Sequence, residues 1–208
     1  RLYWDSFAPI RCVLPPVAEQ NRIADILDTQ DKVIELKEKL LVKKQQQKKY
    51  LAQQVFSSTQ RFIPLSDLAT ITMGQSPSSE SYNMTNDGIP LIQGNADIHD
   101  RKPLPRMYTT APTKQCSPGD ILISVRAPVG TVARSTIVAC IGRGVCSIRS
   151  KSMQDYIYQY LLYYEDKWGR VSQGSTFEAI SGDDVSKLLI PQCGNSEQKA
   201  RMLLRADQ

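Results

Sequence analysis

Nine basic residues fall between Arg101 and Lys151: Arg101, Lys102, Arg106, Lys114, Arg126, Arg134, Arg143, Arg149 and Lys151. Only one acid, Asp120, lies in that stretch. Such a local excess is either the footprint of a polyanion partner or a solvated face balanced by acids that fold in from elsewhere. Catalytic chemistry is less well served. A Ser-His-Asp triad would have to use His99, the single histidine, which sits in Asp97-Ile-His-Asp100. Asp97, Asp100 and Asp120 could supply a metal-dependent nuclease, but their spacing matches no known metal cluster. Carboxylates in a polar loop more often face solvent. No G-x-x-x-x-G-K-[ST] phosphate loop is present. Leu14-Pro-Pro-Val17 lacks the polar first residue and the aromatic of the Asn/Asp-Pro-Pro-aromatic motif of amino-methyltransferases. Neither a catalytic residue nor a metal or other cofactor is therefore expected. The five cysteines (Cys12, Cys116, Cys140, Cys146, Cys193) are odd in number and never spaced C-x-x-C. They read as free, mostly buried thiols.

These residues need elements to position them. The 208 residues suffice for one compact domain with its own core plus an extended element. No apolar run approaches the roughly 18–20 residues that span a bilayer. The opening Arg1-Leu-Tyr-Trp-Asp5 lacks the apolar region of a signal peptide. A cytoplasmic location without membrane contact is expected. Residues 1–18 read as a lead-in ending in Leu14-Pro-Pro16. Residues 19–57 read as one long helix free of Gly and Pro. Its apolar residues recur at helical spacing: Ile23, Ile26, Leu27, Val33, Ile34, Leu36, Leu40, Leu41, Leu51 and Val55. Acids (Glu19, Asp25, Asp28, Asp31) lead and lysines (Lys39, Lys43, Lys44, Lys48, Lys49) follow, as the helix dipole favours. Such a rod, roughly 57 Å at 1.5 Å per residue, cannot bury its stripe alone. It is expected to pair in an antiparallel coiled coil with a partner helix. Gln30, Lys37 and Lys44 interrupt one seam. A helix lying across its own domain is the alternative.

From about Ser57 the texture changes to short apolar runs between Gly, Pro, Ser and Thr. Residues 89–93, 120–125, 130–133 and 144–148 read as strands, and residues 154–168 as a helix. The expected fold is α+β: a globular domain over 58–191 with several short strands and few helices, plus the long helix. Leu14-Pro15 followed by Glu19-Gln20 is echoed by Ile190-Pro191 followed by Glu197-Gln198. The matching punctuation suggests a tandem arrangement in which this chain holds little more than one unit.

Three stretches resemble type I restriction-modification specificity subunits. The first is Leu14-Pro-Pro-Val-Ala-Glu-Gln-Asn-Arg-Ile-Ala-Asp-Ile-Leu27, similar to the conserved region after each recognition domain. The second is Gly74-Gln-Ser-Pro77, Tyr82 and Gly88-Ile-Pro-Leu-Ile-Gln-Gly-Asn-Ala-Asp97. The third is Pro118-Gly-Asp-Ile-Leu-Ile-Ser-Val-Arg-Ala-Pro-Val-Gly130, then Ile141-Gly-Arg-Gly-Val145. The last two resemble the target-recognition domain. The resemblance implies a non-catalytic subunit that recognises a half-site in double-stranded DNA. Its implied partners are modification subunits and, through them, the restriction subunit. Members usually carry two recognition domains and two conserved helices, so one of each implies a half-subunit or fragment, with residues 1–18 as the tail of an upstream recognition domain and residues 192–208 as the start of a second conserved helix. Such a half could dimerise through the long helix and read an inverted repeat. The alternative is a truncated decoy that binds modification subunits without directing methylation.

Under that resemblance, base edges are read by amide and guanidinium groups on loops that approach closely. Gln75 and Ser76 lie in a Gly/Ser/Pro loop, and Gln93 and Asn95 flank Gly94. Arg126 follows a strand, Arg143 stands between two glycines, and Gln173 and Ser175 lie in Ser172-Gln-Gly-Ser-Thr176. Arg101 and Lys102 open the basic run. Each has a structural reading beside it: Gly74 and Pro77 as a plain turn, Arg126 paired with Asp120 or another acid within the fold, and Gly142 and Gly144 needed for packing.

Overall fold

A computed structural model describes residues 14–57, 61–171, 179–192, 195, 199 and 202–204. The chain divides into two units, Arg1–Gln47 and Lys48–Gln208, with the boundary inside a helix.

That helix, α1, runs Val17–Ser57. The Pro16 carbonyl accepts the Glu19 and Gln20 N–H groups at 2.9 and 3.0 Å, so the chain turns helical directly after the proline pair. With no Gly or Pro inside it, nothing breaks the hydrogen-bond ladder. In the first unit its apolar side chains stay open: Ile26, Leu27, Ile34 and Leu41 keep 54–58% of their surface exposed.

In the second unit the last turns of α1 are anchored. Ala52, Val55 and Phe56 are buried. The Phe56 ring packs edge-on to Tyr156 and Tyr160, with centroids 5.6 and 5.1 Å apart. Both tyrosines belong to α3 (Gln154–Val171), whose Tyr156, Ile157, Tyr160 and Leu161 recur at helical spacing and are buried.

The strands are β1 (Phe62–Pro64), β2 (Thr70–Met73), β3 (Tyr82–Asn83), β4 (Ile89–Ile92), β5 (Ile98–His99), β6 (Lys102–Pro103) and β7 (Met107–Thr109). Then come β8 (Gln115–Cys116), β9 (Ile121–Ser124), β10 (Val132–Arg134), β11 (Ala139–Ile141), β12 (Val145–Arg149) and β13 (Leu189–Pro191). Short helices α2 (Leu65–Leu68) and α4 (Gly182–Ser186) and 3-10 turns at Ser79–Ser81 and Asn95–Asp97 complete the described elements. A four-stranded antiparallel sheet has the order β10-β9-β12-β2. A five-stranded sheet has the order β3-β7-β4-β11-β8, with β4 and β11 parallel. β1 pairs antiparallel with β13, and β5 with β6.

The core has two parts, and β9 serves both. Ile121 and Ile123, with Cys146 and Ile148 of β12, face α3 and the end of α1. Leu122, Ala133 and Val145 face Ile92, Ala139 and Ile141 of the five-stranded sheet. A strand covered on both faces has no polar side to show, hence the unbroken Ile-Leu-Ile. Cys116, Cys140 and Cys146 are free and buried, and burial pushes the Cys146 thiol up to about 12. Cys12 and Cys193 lie outside the described residues. No described helix is long and apolar enough to cross a membrane.

Candidate nucleic-acid interface

Three glycine-bearing segments interlock at the ends of β2, β4 and β11. The Gly74 N–H donates to the Val145 carbonyl at 2.9 Å, Gln75 N–H to Ile141 at 2.9 Å and Gly142 N–H to Ile92 at 2.8 Å. The backbones approach so closely that side chains are excluded. A Cβ on Gly74 would stand 2.2 Å from the Gly142 carbonyl oxygen, and one on Gly144 would stand 2.2 Å from that of Gln93. The packing alternative for Gly142 and Gly144 describes this junction, and it thrusts Arg143 outward. The Arg143 backbone N–H donates to Ser76 Oγ at 3.3 Å, and the residue is exposed.

The junction forms one wall of an open groove of about 720 Å³. Ser76, Gln93, Asn95, Arg126 and Arg143 all line it. These five expected residues are separated by up to 67 positions in sequence and meet only through the sheet ends. Arg126 does not pair with Asp120. Asp120 is buried and accepts from Arg149 Nε at 2.5 Å, from the Ser117 N–H at 2.8 Å and from the Ser147 hydroxyl at 3.1 Å. The side chains of Arg126 and Arg143 have no ion-pair partner among the described residues.

Other expected residues stand elsewhere. Gln75 is exposed but does not line the groove, and its carbonyl accepts the Thr113 hydroxyl. Arg101 and Lys102 belong to the β5–β6 hairpin, outside the groove lining. The two turn residues Asp100 and Arg101 have φ of 45° and 63°, a left-handed conformation unusual for side chains of this size. Arg101 is held there by Glu165 Oε1 at 2.7 Å and the Val132 carbonyl at 3.1 Å. Gln173 and Ser175 lie outside the described residues.

The groove also holds two residues not expected as ligands, Arg106 and Asp97. The Asp97 side chain is 5% exposed and accepts Arg106 Nε at 2.9 Å and the Gln93 N–H at 2.8 Å. Arg106 belongs to the basic run, but nothing in its spacing from Asp97 marks the pair, because a hairpin separates them. Arg106, Arg126 and Arg143 against Asp97 give the lining three cations and one anion. The rest of the basic run is partly neutralised within the fold, through Arg101–Glu165, Arg134–Asp155 and Arg149–Asp120. Of the six that remain, Arg106, Arg126 and Arg143 line the groove, whereas Lys102, Lys114 and Lys151 do not; three guanidiniums beside amides suit a polyanion whose edges carry donors and acceptors.

The globular unit is sheet-rich and offers amides and guanidiniums around one open groove, and the long helix carries an exposed apolar stripe. The chain belongs to the family of type I restriction modification DNA specificity domains, whose match covers residues 58–201. It is 35% identical over 216 residues to a putative type I restriction enzyme MjaX specificity subunit of Methanocaldococcus jannaschii, covering 92% of this chain and 50% of that protein. The crystal structure of the HsdS subunit from Thermoanaerobacter tengcongensis matches with a TM-score of 0.73 at 30% identity, over 94% of this chain and 52% of that one. The type I restriction-modification S subunit from M. genitalium matches in fold, with a TM-score of 0.68 at 15% identity over 92% of this chain and 55% of that one. The chain thus spans about half the length of these relatives.

Proposed function

We propose that the chain is a non-catalytic DNA sequence-specificity module of a type I restriction-modification system. It reads a half-site in double-stranded DNA and brings modification subunits, and through them the restriction subunit, to that site. The observation that carries this reading is the convergence of Gln93, Asn95, Arg126 and Arg143 on one groove within a DNA specificity domain. Amides match the adenine edge and guanidiniums match guanine or phosphate.

The second part of the proposal is self-association through α1. Its support is the exposed Ile26, Leu27, Ile34 and Leu41, a stripe that water does not favour. Two copies related by a twofold axis would read an inverted repeat with unread base pairs between the half-sites.

The test is size-exclusion chromatography with light scattering, before and after adding an inverted-repeat DNA library and a modification subunit. A dimer that enriches one spaced palindrome is expected. A monomer that binds the modification subunit and selects no DNA would instead identify a decoy.

A further inference from the structure

We propose that Arg106 reads a guanine through its two Nη groups and that Asp97 is the positioning residue that fixes its plane. The inference rests on the groove being the DNA-binding surface and goes further by assigning a base to one side chain. The geometry supports it in three respects. First, the pair is asymmetric: the Arg106 side chain is 65% exposed, whereas that of Asp97 is 5% exposed. The acid is therefore a fixed support within the domain, and the cation is the part offered outward. Second, Asp97 takes only Nε, at 2.9 Å, and leaves the Nη nitrogens without a partner among the described residues. End-on Nη1 and Nη2 form a planar fork that matches guanine O6 and N7. A phosphate contact needs only a nearby charge, whereas a base edge needs a fixed plane, and a carboxylate gripping Nε supplies one.

Third, the other Asp97 oxygen accepts the Gln93 N–H at 2.8 Å. The carboxylate thus ties Arg106 to the start of the segment 93–97, whose Asp97 N–H closes back on the Gly94 carbonyl at 3.1 Å. One buried group holds both the backbone that carries Gln93 and the Arg106 guanidinium on the groove wall. The positions they read should therefore respond together when it is altered.

The experiment is selection from a randomised double-stranded DNA library, with the full chain assembled with its modification subunit. The variants are Arg106→Lys, Arg106→Ala and Asp97→Asn, each with its thermal midpoint recorded. Arg106→Lys keeps the charge and loses the fork. It is expected to lower the preference for guanine at one position of the selected site by roughly tenfold or more, leaving distant positions unchanged. Arg106→Ala should relax the same position. Asp97→Asn can still accept from Gln93 but no longer grips Nε as an anion, and it should relax that same position too. Should Asp97→Asn fail to fold, the lysine variant decides alone. Weakening that is uniform across all sequences, or an unaltered motif in Arg106→Lys, overturns the assignment to guanine while leaving DNA recognition intact. A wild-type complex that selects no sequence overturns both.

Discussion

The Gly144 Cα lies so close to the Gln93 carbonyl that a single added carbon would stand 2.2 Å from its oxygen. The neighbour is backbone, so no side chain can swing aside. Gly144→Ala is expected to lose about 2–4 kcal/mol of stability, in the range of severe packing faults. Gly119→Ala is the control. Its φ is +89°, and nothing lies within 4 Å of the added carbon. It should therefore lose only the left-handed backbone cost, about 1–2 kcal/mol. Urea denaturation distinguishes the two, and equal losses would show that the junction yields.

Arg126 and Arg143 offer a different contrast, because both line the groove while making no ion pair among the described residues. Replacing either with alanine should leave the thermal midpoint nearly unchanged. DNA affinity should fall. For each residue that contacts phosphate, the dependence of log affinity on log salt should become shallower by about one. Binding isotherms across a salt series measure this, and unchanged affinity in the double variant would remove the groove from the binding surface.

Leu27, Ile34 and Leu41 stand seven residues apart on α1, all more than half exposed. A seven-residue apolar repeat is the seam of a coiled coil. Ile34→Glu with Leu41→Glu should reduce the mass seen by light scattering at a given concentration. The unfolding midpoint of the globular unit should stay unchanged, since neither residue belongs to Lys48–Gln208. If the mass stays the same, association through this stripe is excluded.

Ser181 caps α4 with a full capping box. Its hydroxyl accepts the Asp184 N–H at 3.2 Å, while the Asp184 carboxylate accepts from the Ser181 N–H at 2.9 Å. The Ser181 hydroxyl, then its N–H, hold the Asp184 carboxyl below its ordinary value. A depressed carboxyl contributes stability above its unfolded value, about 3.9, and loses it as pH falls through the folded value. Ser181→Ala should cost about 1 kcal/mol at neutral pH. The deficit should shrink in acid below pH 4, as chemical denaturation at the two pH values would reveal. A deficit independent of pH would mean that the carboxylate takes no part.

The strands legible in the sequence, β4, β9, β10 and β12, are short apolar runs bounded by turn residues. Ile121-Leu-Ile-Ser and Val145-Cys-Ser-Ile carry their own signal because both faces are covered. β5, β6 and β8 have two residues each, too few for any period to register. α1 is readable from its lack of breakers and its charge order, whereas the burial of Phe56 against Tyr156 and Tyr160 is set by residues about a hundred positions away. In the groove, Gln93, Asn95 and Arg143 were marked by neighbouring glycines. Arg106 and Asp97 carried no such mark, because their meeting depends on the β5–β6 hairpin between them. Likewise Asp120 took Arg149, 29 positions away and close only through strand pairing, rather than the nearer Arg126.

β1 and β13 lie side by side in antiparallel register, Phe62 opposite Pro191 and Pro64 opposite Leu189, with the Gln192 N–H closing on the Arg61 carbonyl at 2.7 Å. The two ends of the segment 62–191, which holds every strand described, therefore meet at one doorway. A domain so joined can be copied, exchanged or spliced in as a cassette without rethreading the chain on either side. Recombination at this doorway would replace the whole fold between the two strands in a single genetic step.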